Sequence, residues 1–78
     1  MNVYTEYTVE INWDEMNKII ETHGFGYAER ALKELHIWCE TTFPEENRWR
    51  HYSTQWPSSD YFSFRREIDR TAFLLKWL

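Results

Sequence analysis

The chain has 78 residues and a mass of 9.7 kDa, is 42% hydrophobic and 28% charged, and carries a formal net charge of −4. That length admits one small domain, and this composition, with only two Gly and two Pro, excludes a disordered or collagen-like chain. A single cysteine excludes a disulfide framework and a four-cysteine zinc site, and the longest fully apolar run, residues 72–75, falls far short of the roughly 20 residues of a membrane span. With no charged-then-apolar leader ahead of the domain, a soluble protein of a reducing cytosol is expected.

From Val3 to Ile11 the pattern VYTEYTVEI alternates, placing Val3, Thr5, Tyr7, Val9 and Ile11 on one face of a half-buried strand. Asn12 is placed to cap a helix, with Glu15 three residues on and Asp14 adding negative charge to the first turn. Trp13, Met16, Ile19 and Ile20 form the apolar stripe of this helix, and Gly24 stops it. In the next segment Ala28, Ala31, Leu32, Leu35, Cys39 and Thr42 recur at helical spacing, and Glu29 and Lys33 form a favourable i,i+4 pair. Pro44 ends this second helix near Phe43.

The C-terminal third changes period. RWRHYST sets Trp49, His51 and Ser53 against Arg50, Tyr52 and Thr54; QWPSSD supplies a turn of about six residues; YFSFR resumes the alternation with Phe62 and Phe64 inward. The closing helix is expected to bury Ile68, Ala72 and Leu75 together with Phe73 and Trp77. The order βααββα predicts an α+β domain of two layers, a three-stranded antiparallel sheet with helices on one face.

The run FSFRREIDRTAFLLKW, with Phe62, Phe64, Asp69, Phe73, Leu75 and Trp77 at fixed offsets, resembles the closing signature of small tailed-bacteriophage proteins. The helix containing IWCETTF and the WxxY strand after it are similar to the middle section of the same group, so the resemblance covers roughly residues 35–78. It implies an origin in a phage genome and a compact α+β domain, and little about activity.

Catalytic motifs are absent from the pattern. His36, Cys39 and Glu40 have spacings that zinc ligands use, but on a helix Cys39 falls at the centre of the apolar stripe while Glu40 turns about 100° away. Cys39 or Ser53 with His51 or His23 lacks the strained elbow or glycine-rich loop that frames a nucleophile. Asp14, Glu15, Glu45 and Glu46 are explained by capping and solvation. No metal, cofactor or enzymatic activity is expected.

Binding is the stronger expectation. Arg48, Arg50 and Tyr52 interleave bases with rings, and Arg65, Arg66 and Arg70 follow the paired strand, as in a single-strand nucleic-acid binder. The overall acidity argues for a protein partner instead: residues 1–47 carry a net charge of −7 and residues 48–78 one of +3. Fifteen aromatic residues exceed what so small a core can enclose. Tyr7, Trp13, Phe62, Phe64, Phe73 and Trp77 have predicted inward positions; Tyr4, Trp38, Tyr52, Trp56 and Tyr61 do not, and Ile37 lies opposite the stripe of its helix. Trp56, Tyr52, Tyr61, Tyr4, Trp38 and Ile37 are therefore the candidate protein contacts. The expectation is a non-enzymatic phage protein of the host cytoplasm that binds and inhibits or redirects a host protein, a DNA-handling defence factor being the natural target class. The alternatives are a nucleic-acid accessory protein and a minor virion component, and a homodimer is a possible state of so small a domain.

Overall fold

The computed structural model describes residues 6–56 and 58–78; the expectations for Val3, Tyr4, Thr5 and Pro57 lie outside them. Alternation gives β1 (Tyr7–Ile11), in which Val9 and Ile11 are buried and Thr8 and Glu10 exposed. The chain then turns at Asn12, whose side chain accepts the Glu15 backbone N–H at 2.9 Å and so caps α1 (Trp13–His23). Gly24 ends this helix at φ 70°, a left-handed conformation that a residue without Cβ adopts at least cost. A short connection leads to α2 (Ala28–Thr42), which buries Ala31, Leu35 and Cys39 and stops just before Pro44.

The hairpin follows. β2 (Trp49–Thr54) and β3 (Ser59–Phe64) pair antiparallel, with His51 opposite Phe62 and Tyr52 opposite Tyr61. The connection spans residues 55–58, two shorter than expected, because Ser59 and Asp60 extend the ladder instead of forming the turn. β3 also pairs with β1, setting Val9 opposite Phe62, so the sheet order is β1-β3-β2. Its central position explains why Ser63 is buried although it belongs to the face opposite Phe62 and Phe64; its hydroxyl meets that of Thr8 at 2.9 Å.

The last element, α3 (Glu67–Trp77), packs on β1 and β3 with Asp69, Phe73 and Trp77 inward. The result is the expected two-layer α+β arrangement, in which Phe62, Phe64 and Phe73 are enclosed between sheet and helices, their rings 5.0 to 5.3 Å from one another where Phe73 meets the other two.

Three expectations about which residues face inward are overturned. Ile68 and Leu75 are not core residues; they are 71% and 83% exposed, because α3 is turned so that Asp69 reaches Arg48 under the helix and Phe73 and Trp77 follow it at intervals of four. Trp13 is 62% exposed, since it stands in the first turn of α1, at the mouth of the cleft with α2, beyond the layer that Met16 and Ile19 fill. Trp38 is half-buried and packs edge-on to Phe43, Phe73 and Trp77, so it is a border of the core.

Candidate functional site

Strand parity divides the sheet into a face covered by helices and a face left open. On the open face β2 presents Arg50, Tyr52 and Thr54, β3 presents Tyr61 and Ser63, and β1 presents Thr8 and Glu10. Tyr52 and Tyr61, directly opposite on paired strands, stack with centroids 4.9 Å apart and planes 11° from parallel. Tyr52 is exposed and Tyr61 half-buried. Arg50 approaches Glu6 at 3.6 Å, and Ser59 donates to Glu10 at 2.9 Å, so one guanidinium and two carboxylates share this face with the rings.

At the end of this sheet, in the four-residue connection, Trp56 is 92% exposed. A hairpin loop of four residues supplies no second layer against which an indole could lie. Ile37 is exposed on α2 and has no part in this surface. Of the expected protein contacts, then, Tyr52, Tyr61 and Trp56 belong to one hairpin, Ile37 stands apart and Trp38 packs on the core; Tyr4 lies outside the described residues.

The arginines separate. Arg48, Arg65 and Arg66 border one hollow of about 450 Å³, together with Glu45 and Glu46. Arg48 is engaged inside the protein: Nε donates to Asp69 Oδ2 at 2.9 Å and Nη2 to Oδ1 at 3.1 Å, while Nη1 meets Glu45. Its guanidinium also lies over the Phe43 ring at 5.0 Å. These bonds hold the carboxyls of Asp69 and Glu45 below their ordinary values and raise the guanidinium further. Arg66 Nε points to the same Asp69 oxygen at 3.4 Å, and Arg70 pairs with Glu67. The basic residues expected to track a phosphate backbone are thus largely occupied by carboxylates of this chain.

A second cluster was not expected from the sequence. His36 Nε2 lies 2.8 Å from His51 Nδ1, His51 Nε2 lies 2.9 Å from Asp60 Oδ1, and Ser53 donates to that same oxygen at 2.6 Å. A carboxylate only accepts, so His51 carries its proton on Nε2; with both rings neutral, His51 Nδ1 accepts from His36 Nε2–H, which leaves the free lone pair on His36 Nδ1. Desolvation and the neighbouring His51 lower the His36 pKa, outweighing Glu40 and Asp60, which raise it. Strand parity places His51 and Ser53 on one face, but the sequence pattern assigns Asp60 to the turn and relates His36 only to Cys39 and Glu40 by spacing, so the relay does not emerge from it.

This relay ties α2 to the hairpin and does not form a nucleophile. An activated serine gives its proton to an imidazole, whereas Ser53 and His51 here donate to the same carboxylate. Cys39 is buried, and desolvation followed by the Glu40 charge pushes its thiol up to about 12, far from the thiolate that reacts or binds metal. Among the described residues no group of three His, Cys, Asp or Glu side chains converges to hold a metal, and no helix is long and apolar enough to cross a membrane.

No protein-family model matches the chain, and neither curated proteins nor solved structures give a match.

Proposed function

We propose that this protein is a non-enzymatic binding domain, made by a bacteriophage in the host cytoplasm, that docks on a host protein and blocks or redirects it. The observation that carries the reading is Trp56, almost wholly exposed at the tip of a hairpin whose open face bears the stacked Tyr52 and Tyr61. Tryptophan and tyrosine are enriched among the few residues that carry most of the binding energy in protein interfaces, as large rigid rings that lose little conformational freedom. An indole left in water exposes on the order of 200 Å² of largely apolar surface that a partner can cover.

The charges around the rings favour a protein over a nucleic acid. Arg50 is matched by Glu6, Glu10 stands on the same face, and the whole chain is acidic. A chain of net charge −4, its acids concentrated in residues 1–47, suits a target with a basic, nucleic-acid-handling site, which is the basis for placing the target among DNA-handling defence factors. The test is capture from host lysate by tagged wild type and by tagged Trp56→Ala. One stoichiometric partner held by the wild type and lost by the variant supports the reading; capture of nothing above background across several host strains removes it.

Self-association is a second reading, favoured by Ile68 and Leu75, which lie one above the other on the outer face of α3. A symmetric dimer through that face would cover both. Light scattering that returns the monomer mass at every concentration tested eliminates it.

A further inference from the structure

An open cleft of about 530 Å³ runs along α1 to the start of α2, bordered by Trp13, Asn17, Ile20 and Glu21 from α1 and by Tyr27 and Glu29 at the start of α2. Trp13 and Tyr27 are 62% and 58% exposed, and Ile20 packs on the core beneath. The volume lies within the range of small-ligand sites. Two carboxylates share the cleft with two aromatic rings, and among the described residues neither Glu21 nor Glu29 has an ion pair: the Glu29–Lys33 pair expected from the i,i+4 spacing does not form. Arg30 and Lys33 border an adjoining hollow that shares Tyr27 and Glu29 with the cleft, and Lys18 lies three residues before Glu21 on α1, but none of these cations lines the cleft itself.

We propose that this cleft receives an arginine side chain of the partner protein. A guanidinium is planar and weakly hydrated, stacks on aromatic faces and gives paired hydrogen bonds to carboxylates, so it uses rings and acids together. An anionic group is repelled by Glu21 and Glu29. A wholly apolar segment would desolvate both carboxylates with nothing to pair them. A lysine ammonium is compact and strongly hydrated, and gains less from flat rings.

Position supports the same occupant. Trp13 also borders a small cavity of about 60 Å³ with Ser58 and Asp60, so the Trp13 edge of the cleft lies beside the hairpin connection that carries Trp56. One partner can cover Trp56 and extend an arginine into the cleft. The inference rests on the protein-binding reading above and names the chemistry the partner must carry.

The experiment is an NMR titration of the full chain with a blocked penta-arginine peptide and with its penta-citrulline counterpart, which keeps the shape and removes the charge. The arginine peptide is expected to move the Trp13 indole and Tyr27 ring resonances saturably, and citrulline to leave them in place. Trp13→Ala, and separately Glu21→Gln with Glu29→Gln, should weaken binding about tenfold while the remaining spectrum is retained. The carboxamide pair leaves every apolar contact in place, so it decides the matter if the alanine variant unfolds. Absence of shifts at millimolar peptide, equal shifts with citrulline, or undiminished binding by the variants overturns the proposal. So do shifts that grow with protein concentration alone, which would assign the cleft to a second copy. Loss of host-partner capture in Trp56→Ala without any arginine binding would sink this inference alone; arginine binding by a protein that captures no host partner would sink the host-protein reading alone.

Discussion

Arg48 and Asp69 are joined by two hydrogen bonds, Nε to Oδ2 at 2.9 Å and Nη2 to Oδ1 at 3.1 Å, which tie the residue just before β2 to the first turn of α3. Asp69 is buried, so the bonds fix which side of α3 faces the sheet. Because Arg48 holds the Asp69 carboxyl below its ordinary 3.8, the folded state binds this proton less readily than the unfolded chain. The contribution of the pair is therefore complete above that ordinary value and is lost as pH falls through the lower folded-state value. Asp69→Asn should lose about 1–3 kcal/mol near neutrality. Its urea midpoint should also fall less steeply than that of the wild type from about pH 4 downward.

The rotation of α3 makes its two apolar groups unequal. Phe73 lies within the core, stacked on Phe62 at 5.0 Å, whereas Leu75 is largely in solvent. Phe73→Ala is expected to cost about 3–5 kcal/mol, a large part of what a domain of this length has. Leu75→Ala should stay within about 0.5 kcal/mol of the wild type. Equal losses in paired denaturation curves would show that the sequence pattern, with Leu75 inward, describes α3 better.

These cases show how far the sequence could be read. Asn12, Gly24 and Pro44 act on the backbone within a few residues of themselves, so the helix limits they set were legible. The alternation around Phe62 and Phe64 was legible for the same reason. Ile68 and Leu75 were misplaced because helical spacing allowed two overlapping stripes, and choosing between them required knowing that Arg48, 21 residues earlier than Asp69, would lie beneath the helix. Trp13 and Trp38 were misplaced because periodicity gives a direction and not the distance to the end of the core. Trp56 was legible as exposed because a turn offers no cover, and Tyr52 and Tyr61 because strand alternation sets them opposite the face of Phe62 and Phe64.

The His36 relay predicts a second pH response nearer neutrality. Burial and His51 lower the His36 pKa from 6.5, with Glu40 and Asp60 opposing, so the unfolded chain takes up this proton first as pH falls. Stability contributed by neutral His36 is full above that ordinary value and declines as pH falls through it toward the lower folded value. His36→Leu should flatten this slope between about pH 7 and pH 5 in urea midpoints, even if it lowers stability overall by removing a partner of His51.

Cys39 should be inert in the folded protein, its thiol buried and raised to about 12. Labelling by a disulfide reagent at mildly alkaline pH should proceed only as fast as the protein opens, and should accelerate with urea in step with unfolding. Prompt labelling of the native protein would place Cys39 at the surface.

The central claim is that exposed rings of the hairpin, Trp56 above all, carry recognition of a protein. The most direct measurement is the affinity of the captured host protein for wild type and for Trp56→Ala, each variant first shown by its NMR spectrum to be folded. A loss of at least about 2 kcal/mol, roughly thirtyfold in Kd, is the predicted result. An affinity unchanged within about 0.5 kcal/mol would contradict it and place the contact elsewhere on the molecule.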